Sequence, residues 1–229
     1  MEQMTQERLD FQEKTNSGTS WTHNESFDRE GYFPIENLWD PKELYCEVPE
    51  EKGQYNYWDK NLEHFNYVPV EQQVEGSTSR YWYPPYSDIH TGIRLKIEKI
   101  IGRKLYNTYY YDRFYFPGQE LTKHADRDAC EISVSVHVST NLTGEDAEWP
   151  FCIKTPYGEE KSISIEPGDG ILYKGCERPH WRWAMPKPRR RKRDILLRRP
   201  EKEYYYHQIF FHYVLADGQR SHCAGDMAR

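Results

Sequence analysis

The chain has 229 residues, which is enough to bury the core of one domain with extended ends. Its formal net charge of −6 excludes a protein that binds polyanions over its whole surface. The five cysteines show no CxxC spacing, so neither a zinc ribbon nor a disulfide framework is expected. No apolar run approaches the roughly 18 residues of a membrane span, and the polar N-terminus is unlike a signal peptide. These features predict a soluble, cytoplasmic protein without a membrane partner.

The N-terminal part divides into a leader and the start of a single domain over residues 31–229. Residues 1–30 are polar and lack a period, which predicts a disordered or loosely attached leader. Residues 31–87 are rich in Trp, Tyr and Pro. The aromatic residues indicate ordered packing, while the prolines argue against long regular elements.

One helix is predicted next. Asp88 can cap its N-terminus, and Gly102 can end it. Apolar residues recur at helical spacing between these two positions. They are Ile89, Ile93, Ile97 and Ile100.

After Gly102 the apolar pattern becomes strand-like, and the 19 tyrosines favour β structure. Several short strands after one helix predict a mainly β fold, an antiparallel sandwich or jelly roll with the helix packed outside. The predicted strands lie at 104–116, 131–138, 151–153, 162–165, 170–173 and 204–214.

A candidate metal site begins at His124-Ala125-Asp126. At a strand end, residues i and i+2 project to the same side, so His124 and Asp126 can share one metal ion. His180, which lies 54 residues beyond Asp126, is the candidate third ligand. Two imidazoles and one carboxylate on one face suit a redox-active Fe(II) with open positions. A polar turn would show the same short motif, so the surrounding residues decide the interpretation.

These surroundings resemble the prolyl-4-hydroxylase-like branch of the 2-oxoglutarate- and Fe(II)-dependent dioxygenases. The resemblance covers about residues 105–215. The motifs that carry it, in order, are YFPGQELTKHADR from Tyr115, CEIS from Cys130, PGD from Pro167, GCERPHWR from Gly175 and QIFFHYV from Gln208.

The resemblance implies a double-stranded β-helix, or jelly roll, with its core at about 104–215. It implies that His124, Asp126 and His180 are the catalytic metal ligands, with Fe(II), 2-oxoglutarate and O₂ as cofactor and cosubstrates. The implied reaction hydroxylates a peptidyl residue or a small molecule and decarboxylates 2-oxoglutarate to succinate. The chain would then be an oxidoreductase.

The far carboxylate of 2-oxoglutarate needs a buried cation, and here the sequence departs from the family. Relatives place Arg or Lys about ten residues after the distal histidine, on the last strand. The corresponding Arg190 lies in a basic run, and the predicted strand at 204–214 contains neither Arg nor Lys. Arg182 is preferred because it is two residues from His180 and can face the same interior. Further candidates for binding the cosubstrate are Arg199 and Lys174 as cations, Tyr115 as a donor to the carboxylate, and Gln208.

Residues 187–199 form a basic segment with eight Lys and Arg and one Asp. Because it lies between two predicted strands, it is interpreted as a loop, either simply solvated or able to clamp an anionic substrate near the active-site mouth. Such a substrate could be a nucleic acid, a nucleotide or a phosphopantetheine group. The loop is expected to be mobile without substrate.

Two alternative functions remain at this stage. The basic segment favours demethylation of a nucleic-acid base, whereas the absence of paired arginines on the last strand argues against it. A cupin-like jelly roll could instead bind metal without oxygenase activity. Cupin-like sites add a further His and Glu near the first motif, a spacing that this sequence lacks. The strand histidines His137, His207 and His212 are expected to be packed residues and not ligands.

Overall fold

The computed structural model describes residues 20–68, 73–188, 196–197 and 202–226. Within them the structure contains three α-helices and twelve β-strands. The helices are α1 (Glu25–Glu30), α2 (Pro41–Leu44) and α3 (Ser87–Ile101). The first strands are β1 (Tyr32–Ile35), β2 (Tyr55–Asp59), β3 (His64–Val68), β4 (Thr78–Tyr81), β5 (Leu105–Tyr115) and β6 (Leu121–His124). The remaining strands are β7 (Ile132–Thr140), β8 (Phe151–Lys154), β9 (Glu160–Ile163), β10 (Gly170–Tyr173), β11 (His180–Arg182) and β12 (Tyr206–Leu215).

The strands form two sheets. The major sheet has eight strands in the order β1-β10-β7-β12-β5-β4-β2-β3, and the minor sheet has four in the order β6-β11-β8-β9. Neighbouring strands are antiparallel except for β2 and β4, which are parallel. The predicted mainly β fold is therefore confirmed. Each of the six predicted strands corresponds to an observed one, although β9 begins and ends two residues earlier than predicted.

The two sheets pack face to face through aromatic and aliphatic side chains. Phe151 and Ile153 of β8 form a buried cluster with Ile171 and Tyr173 of β10. Trp149, just before β8, makes edge-to-face contacts with rings of β5 and β12 in the major sheet. The space between the sheets is thus narrow and apolar at this end.

Helix α3 packs on the outer side of the major sheet. Ile89, Ile93 and Ile97 are buried as the isoleucine spacing predicted. Ile100 is only half-buried, and Ile101 is the last buried residue of the stripe instead. Gly102 ends the helix with φ +69°, and its N–H donates to the carbonyl of Glu98. Asp88 lies in the first turn and does not cap the helix, because α3 begins at Ser87 directly after a 3₁₀ turn.

The leader prediction is wrong for residues 20–30. Helix α1 begins after Asn24, whose side chain accepts a hydrogen bond from the Phe27 N–H at 3.0 Å. Phe27 is fully buried, and Asp28 forms an ion pair of 2.9 Å with Lys174. One buried aromatic ring and one nearly buried ion pair attach this segment to the domain. Residues 1–19 lie outside the described part of the chain.

The basic segment lies mostly outside the described residues, which include only 187–188 and 196–197 of it. Its predicted mobility, and the candidate Arg199, therefore stay predictions. Leu196 and Leu197 are exposed. None of the described helices has the length and apolar character needed to cross a membrane.

Candidate metal centre

The minor sheet brings the three predicted metal ligands together. His124 is the last residue of β6 and His180 the first of β11, and the two are paired across these antiparallel strands. Asp126 follows two residues after His124, where its N–H donates to the carbonyl of Gly175 at 2.9 Å. Asp126 Oδ1 lies 3.4 Å from His124 Nε2 and 3.6 Å from His180 Nε2. One ligand atom from each of the three residues lies within 4.8 Å of the others.

The backbone orients both imidazoles. His124 Nδ1 lies 2.7 Å from the carbonyl oxygen of Thr122, and His180 Nδ1 lies 2.9 Å from that of Arg178. Since a carbonyl can only accept, each Nδ1 carries the proton in the neutral ring, and each Nε2 keeps its lone pair. This is the tautomer that a histidine ligand needs, and it is oriented as in known metal sites.

The protonation states also suit a divalent cation. Burial alone would raise the pKa of Asp126, but His180 and His124 lower it to about 2. Burial lowers the pKa of His180 to about 4. At neutral pH the carboxylate is therefore ionised and His180 is neutral. Asp126 Oδ2 is buried without a hydrogen-bond partner among the described residues, which a metal ion would compensate. The site thus fits a metal held by two nitrogens and one carboxylate.

A buried histidine lies behind Asp126. His212 of β12 accepts or donates a hydrogen bond of 2.9 Å between its Nδ1 and Ser133 Oγ, while its Nε2 has no partner among the described residues. Together with Asp126 and Cys130 it forms a second group of potential metal-binding side chains. The sequence correctly predicted a packed His212, but not its position next to a candidate ligand.

A third such group, Cys46, Asp112 and His207, lies elsewhere in the fold. Arg80 donates to both the Asp112 carboxylate and the Cys46 sulfur there. A fixed guanidinium between these atoms disfavours a cation, so this group is interpreted as a buried hydrogen-bond network.

Arg182 lies between the two sheets, as predicted. Only 1% of its surface is exposed, and its guanidinium carbon is 4.7 Å from the Trp149 ring centroid and 5.2 Å from that of Tyr206. One of its terminal nitrogens, Nη1, donates to the Trp149 carbonyl. The other, Nη2, is buried without a hydrogen-bond partner among the described residues. A buried guanidinium with one free edge is a prepared site for an anion.

Tyr115 and Gln208 also face this interior. Tyr115 is fully buried, with its ring centroid 5.0 Å from that of Trp149. Gln208 donates to Ser135 Oγ at 3.1 Å, and its Oε1 is buried without a partner among the described residues. Both predicted side chains therefore line the space that contains Arg182. Lys174 does not, because it pairs with α1 as described above.

A second buried arginine lies in the major sheet and was not predicted from the sequence. Arg113 of β5 is fully buried and donates to Ser79 Oγ at 2.9 Å and to Tyr115 Oη at 3.4 Å. It is opposite Gln208 in the register of β5 and β12. The alternation of side chains along a strand could have indicated Arg113. It lies two residues before the candidate Tyr115 and therefore faces the same side of the sheet.

Gln73 is a further residue that the sequence did not indicate. Its side-chain Nε2 lies 3.2 Å from His124 Nε2, the atom that would bind a metal. The amide can donate to the lone pair of that nitrogen, so it lies on the open side of the site. Gln73 precedes β4, in a segment that bears no resemblance to the motifs around His124.

Comparison with known proteins bears on the fold. No protein-family model matches the sequence, and no curated protein matches it. The structure is similar to that of a prolyl-4-hydroxylase from Pseudomonas putida, with a TM-score of 0.54, 14% identity and coverage of 82% of this chain and 95% of that one. It is also similar to a 2OG-Fe(II) oxygenase family oxidoreductase from Burkholderia pseudomallei, with a TM-score of 0.52, 11% identity and coverage of 82% and 87%.

A third similar structure is a prolyl hydroxylase from Trichoplax adhaerens in complex with a peptide of hypoxia inducible factor. Its TM-score is 0.53 at 11% identity, with coverage of 92% of each chain. At such identities the likeness establishes the fold and no more. The fold of this chain is thus similar to that of prolyl hydroxylases and of a 2OG-Fe(II) oxygenase family protein, as the sequence motifs led us to expect.

Proposed function

We propose that the protein is a 2-oxoglutarate- and Fe(II)-dependent dioxygenase whose two sheets form a double-stranded β-helix. The observation that carries the proposal is the convergence of His124, Asp126 and His180 within 4.8 Å of one another. Two imidazoles and one carboxylate leave half of an octahedral ion open for cosubstrate and O₂. The likeness in fold to oxygenases supports the same reading.

When bound, Fe(II) would supply the site at which 2-oxoglutarate is oxidised to succinate and the substrate is hydroxylated. The protein's own contribution is orientation and charge. The carbonyls of Thr122 and Arg178 keep the two imidazoles aimed at one point. The ionised Asp126 gives that point a negative charge before any metal arrives. We propose a peptidyl residue or a small molecule as the substrate.

Arg182 is the proposed anchor for the far carboxylate of 2-oxoglutarate. It lies two positions after His180, which is about 7 Å along a strand and comparable with the length of a five-carbon dicarboxylate. Its Nη2 has no hydrogen-bond partner among the described residues, and the rings of Trp149, Phe151 and Tyr206 border its guanidinium. A dicarboxylate would therefore gain a desolvated charge-assisted hydrogen bond there. Tyr115 and Gln208 are proposed to contact the cosubstrate from the major sheet.

The metal proposal is tested by Asp126→Ala, with Glu120→Ala as its control. Glu120 is an exposed carboxylate just before β6. Removal of Asp126 should abolish both Mn(II) binding, measured by calorimetry, and succinate formation from 2-oxoglutarate with Fe(II). Glu120→Ala should change neither. Retention of Mn(II) binding by Asp126→Ala would contradict the ligand set. Metal binding by the wild type without succinate would instead support a non-catalytic metal-binding jelly roll.

The anchor is tested by Arg182→Lys compared with Arg113→Lys. Lysine keeps the charge but loses the planar pair of donors. We expect Arg182→Lys to raise the KM for 2-oxoglutarate by about tenfold, because one charge-assisted hydrogen bond is worth about 1.5–3 kcal/mol. Mn(II) affinity should stay unchanged. If only Arg113→Lys raises this KM, the anchor is Arg113 and the assignment of Arg182 is wrong.

A further inference from the structure

Trp149 closes one end of the space between the two sheets. Only 3% of its surface is exposed, and its ring centroid lies 5.0 Å from that of Tyr115 and 5.1 Å from that of Tyr206. Both contacts are edge-to-face, with rings of two neighbouring strands of the major sheet. The indole Nε1–H donates to the Trp183 carbonyl at 2.8 Å. The indole is thus fixed by aromatic packing and by a hydrogen bond.

The register of the minor sheet places Trp149 beyond Arg182, on the side away from the metal ligands. His180 of β11 is opposite Ile153 of β8, and the two strands are antiparallel. Residues that follow His180 therefore lie beside residues that precede Ile153. Trp149 comes four positions before Ile153. Its hydrogen bond reaches the carbonyl of Trp183, one position past Arg182. The order along this face is therefore metal ligand, arginine and tryptophan.

A continuous row of contacts joins the metal ligand to this tryptophan. The Phe151 ring centroid lies 5.6 Å from that of His180 and 5.8 Å from the guanidinium carbon of Arg182. The same carbon lies 4.7 Å from the Trp149 ring centroid. Arg182 Nη1 also donates to the backbone carbonyl of Trp149. The guanidinium is thus held against Trp149, while its Nη2 has no hydrogen-bond partner among the described residues.

A guanidinium backed by a fixed ring cannot retreat from a ligand. The far carboxylate of a dicarboxylate bound at the metal must come within hydrogen-bond distance of Nη2. The separation between the metal ligands and the guanidinium therefore sets the length of chain that fits. One additional methylene would push the guanidinium toward the indole, where a close-packed interior leaves no room.

We propose that Trp149 is a positioning residue that fixes the length of the dicarboxylate accepted at this site, by holding Arg182 at one distance from the metal ligands. The inference rests on the proposed oxygenase function, because it takes 2-oxoglutarate as the bound dicarboxylate. It adds a rule of selection, in which the five-carbon 2-oxoglutarate fits and its six-carbon homologue 2-oxoadipate is disfavoured. A merely structural Trp149 would affect both ligands alike.

The test is calorimetric titration of the Mn(II)-loaded protein with 2-oxoglutarate and with 2-oxoadipate. The wild type should bind 2-oxoglutarate more tightly by about tenfold or more, the usual discrimination for one methylene in a close-fitting pocket. Trp149→Phe keeps an aromatic side chain and the backbone carbonyl but replaces two fused rings by one. It should reduce the preference by about tenfold, because the guanidinium can then retreat and accept the longer chain.

The matched control is Trp181→Phe, the same substitution at a tryptophan of the minor sheet that is also 3% exposed. Trp181 lies between two inward-facing residues of β11, so its ring points to the outer face, where Lys123 Nζ is 4.1 Å from its centroid. This variant should keep the wild-type preference for 2-oxoglutarate. Both variants should keep the wild-type Mn(II) affinity, which reports an intact metal site.

The absence of a preference in the wild type would overturn the proposal, as would an unchanged preference in Trp149→Phe or an equal change in the control. Loss of Mn(II) binding by Trp149→Phe would also overturn it, because Trp149 would then support the fold as a whole.

Succinate formation by the wild type reports the oxygenase function separately. A wild type that forms succinate, with a Trp149→Phe variant of unchanged preference, contradicts the length selection alone. A wild type that shows the preference but forms no succinate contradicts the oxygenase function alone. A wild type that binds no 2-oxoglutarate contradicts both.

Discussion

At the scale of single residues, the candidate site depends on how closely the chain packs around Asp126. Gly175 accepts the Asp126 N–H and has no side chain, which lets β7 and the segment before β11 approach each other. A Cβ at this position would lie 2.6 Å from Asp126 Oδ2 and 2.6 Å from Ser133 Oγ, and it would also overlap the Cys130 carbonyl. The Cys130 carbonyl belongs to the backbone and resists displacement, so the segment around Gly175 and the side chains of Asp126 and Ser133 have to shift.

We therefore predict that Gly175→Ala displaces Asp126 and weakens Mn(II) binding by about 10–100-fold, the range for lost support around a metal ligand. Overpacking should also cost about 1–3 kcal/mol of the free energy of unfolding. Calorimetry and urea denaturation measure the two effects. Wild-type Mn(II) affinity in this variant would show that Asp126 is not held by this contact.

At the scale of elements, helix α3 supports the major sheet from outside and has no part in the metal site. Ile93 is fully buried at its centre, whereas nearly half the surface of Leu95 is exposed two residues later. His90 of the same helix lies 3.1 Å from the His212 carbonyl, and Tyr213 donates to the His90 carbonyl at 2.9 Å. The helix is thus attached to β12 by both apolar and polar contacts.

Ile93→Ala should lower the free energy of unfolding by about 2–5 kcal/mol, because the cavity cannot fully collapse. Leu95→Ala, the matched exposed position, should change it by less than about 0.5 kcal/mol. Mn(II) affinity should stay at the wild-type level in both. Ile93→Ala therefore also serves as a control for Gly175→Ala, since it destabilises the protein at a distance from Asp126. Equal destabilisation by the two helix variants would contradict the packing described here.

At the scale of the whole molecule, the fold buries neutral histidines and so depends on pH. Burial lowers the pKa of His90 to about 3 and that of His137 to about 4. In the unfolded chain these residues take up protons below about pH 6.5, whereas in the folded protein they do not. Their contribution to stability is therefore complete above pH 6.5 and declines as the pH falls toward their folded pKa values.

We expect the free energy of unfolding of the metal-free protein to fall between pH 6.5 and pH 4. Each such histidine contributes about 1.4 kcal/mol per pH unit. Burial alone would raise the pKa of Asp112, but Arg80 and His207 hold this pKa below its usual value. Protonation of Asp112 therefore changes the free energy of unfolding only below about pH 4. Urea denaturation at several pH values measures the slope, and His90→Gln should reduce it by one histidine's share. An unchanged slope in that variant would mean that His90 is not buried in its neutral form.

The sequence by itself determined those features that repeat within one element or one short motif. The 3.6-residue period of the isoleucines predicted α3, and alternation predicted β7, because the side chains of one element face a common surface. The aromatic residues of 104–116 predicted β5. The spacing of His124 and Asp126 likewise predicted two neighbouring candidate ligands. Strands β6 and β11 span only four and three residues, too few to show a period, although both carry predicted site residues.

Only the tertiary structure decided which distant residues surround the site. Gln73 contacts a residue 51 positions away, and Ser20 donates to Glu131 across 111 positions. No local period records such contacts, since they depend on how strands far apart in the chain become neighbours. The burial of Phe27 also depends on distant residues. It attaches to the domain a part of the segment that was expected to be a disordered or loosely attached leader. The physical reason is that periodicity shows which face of an element is buried. Which other element packs against that face depends on the path of the whole chain.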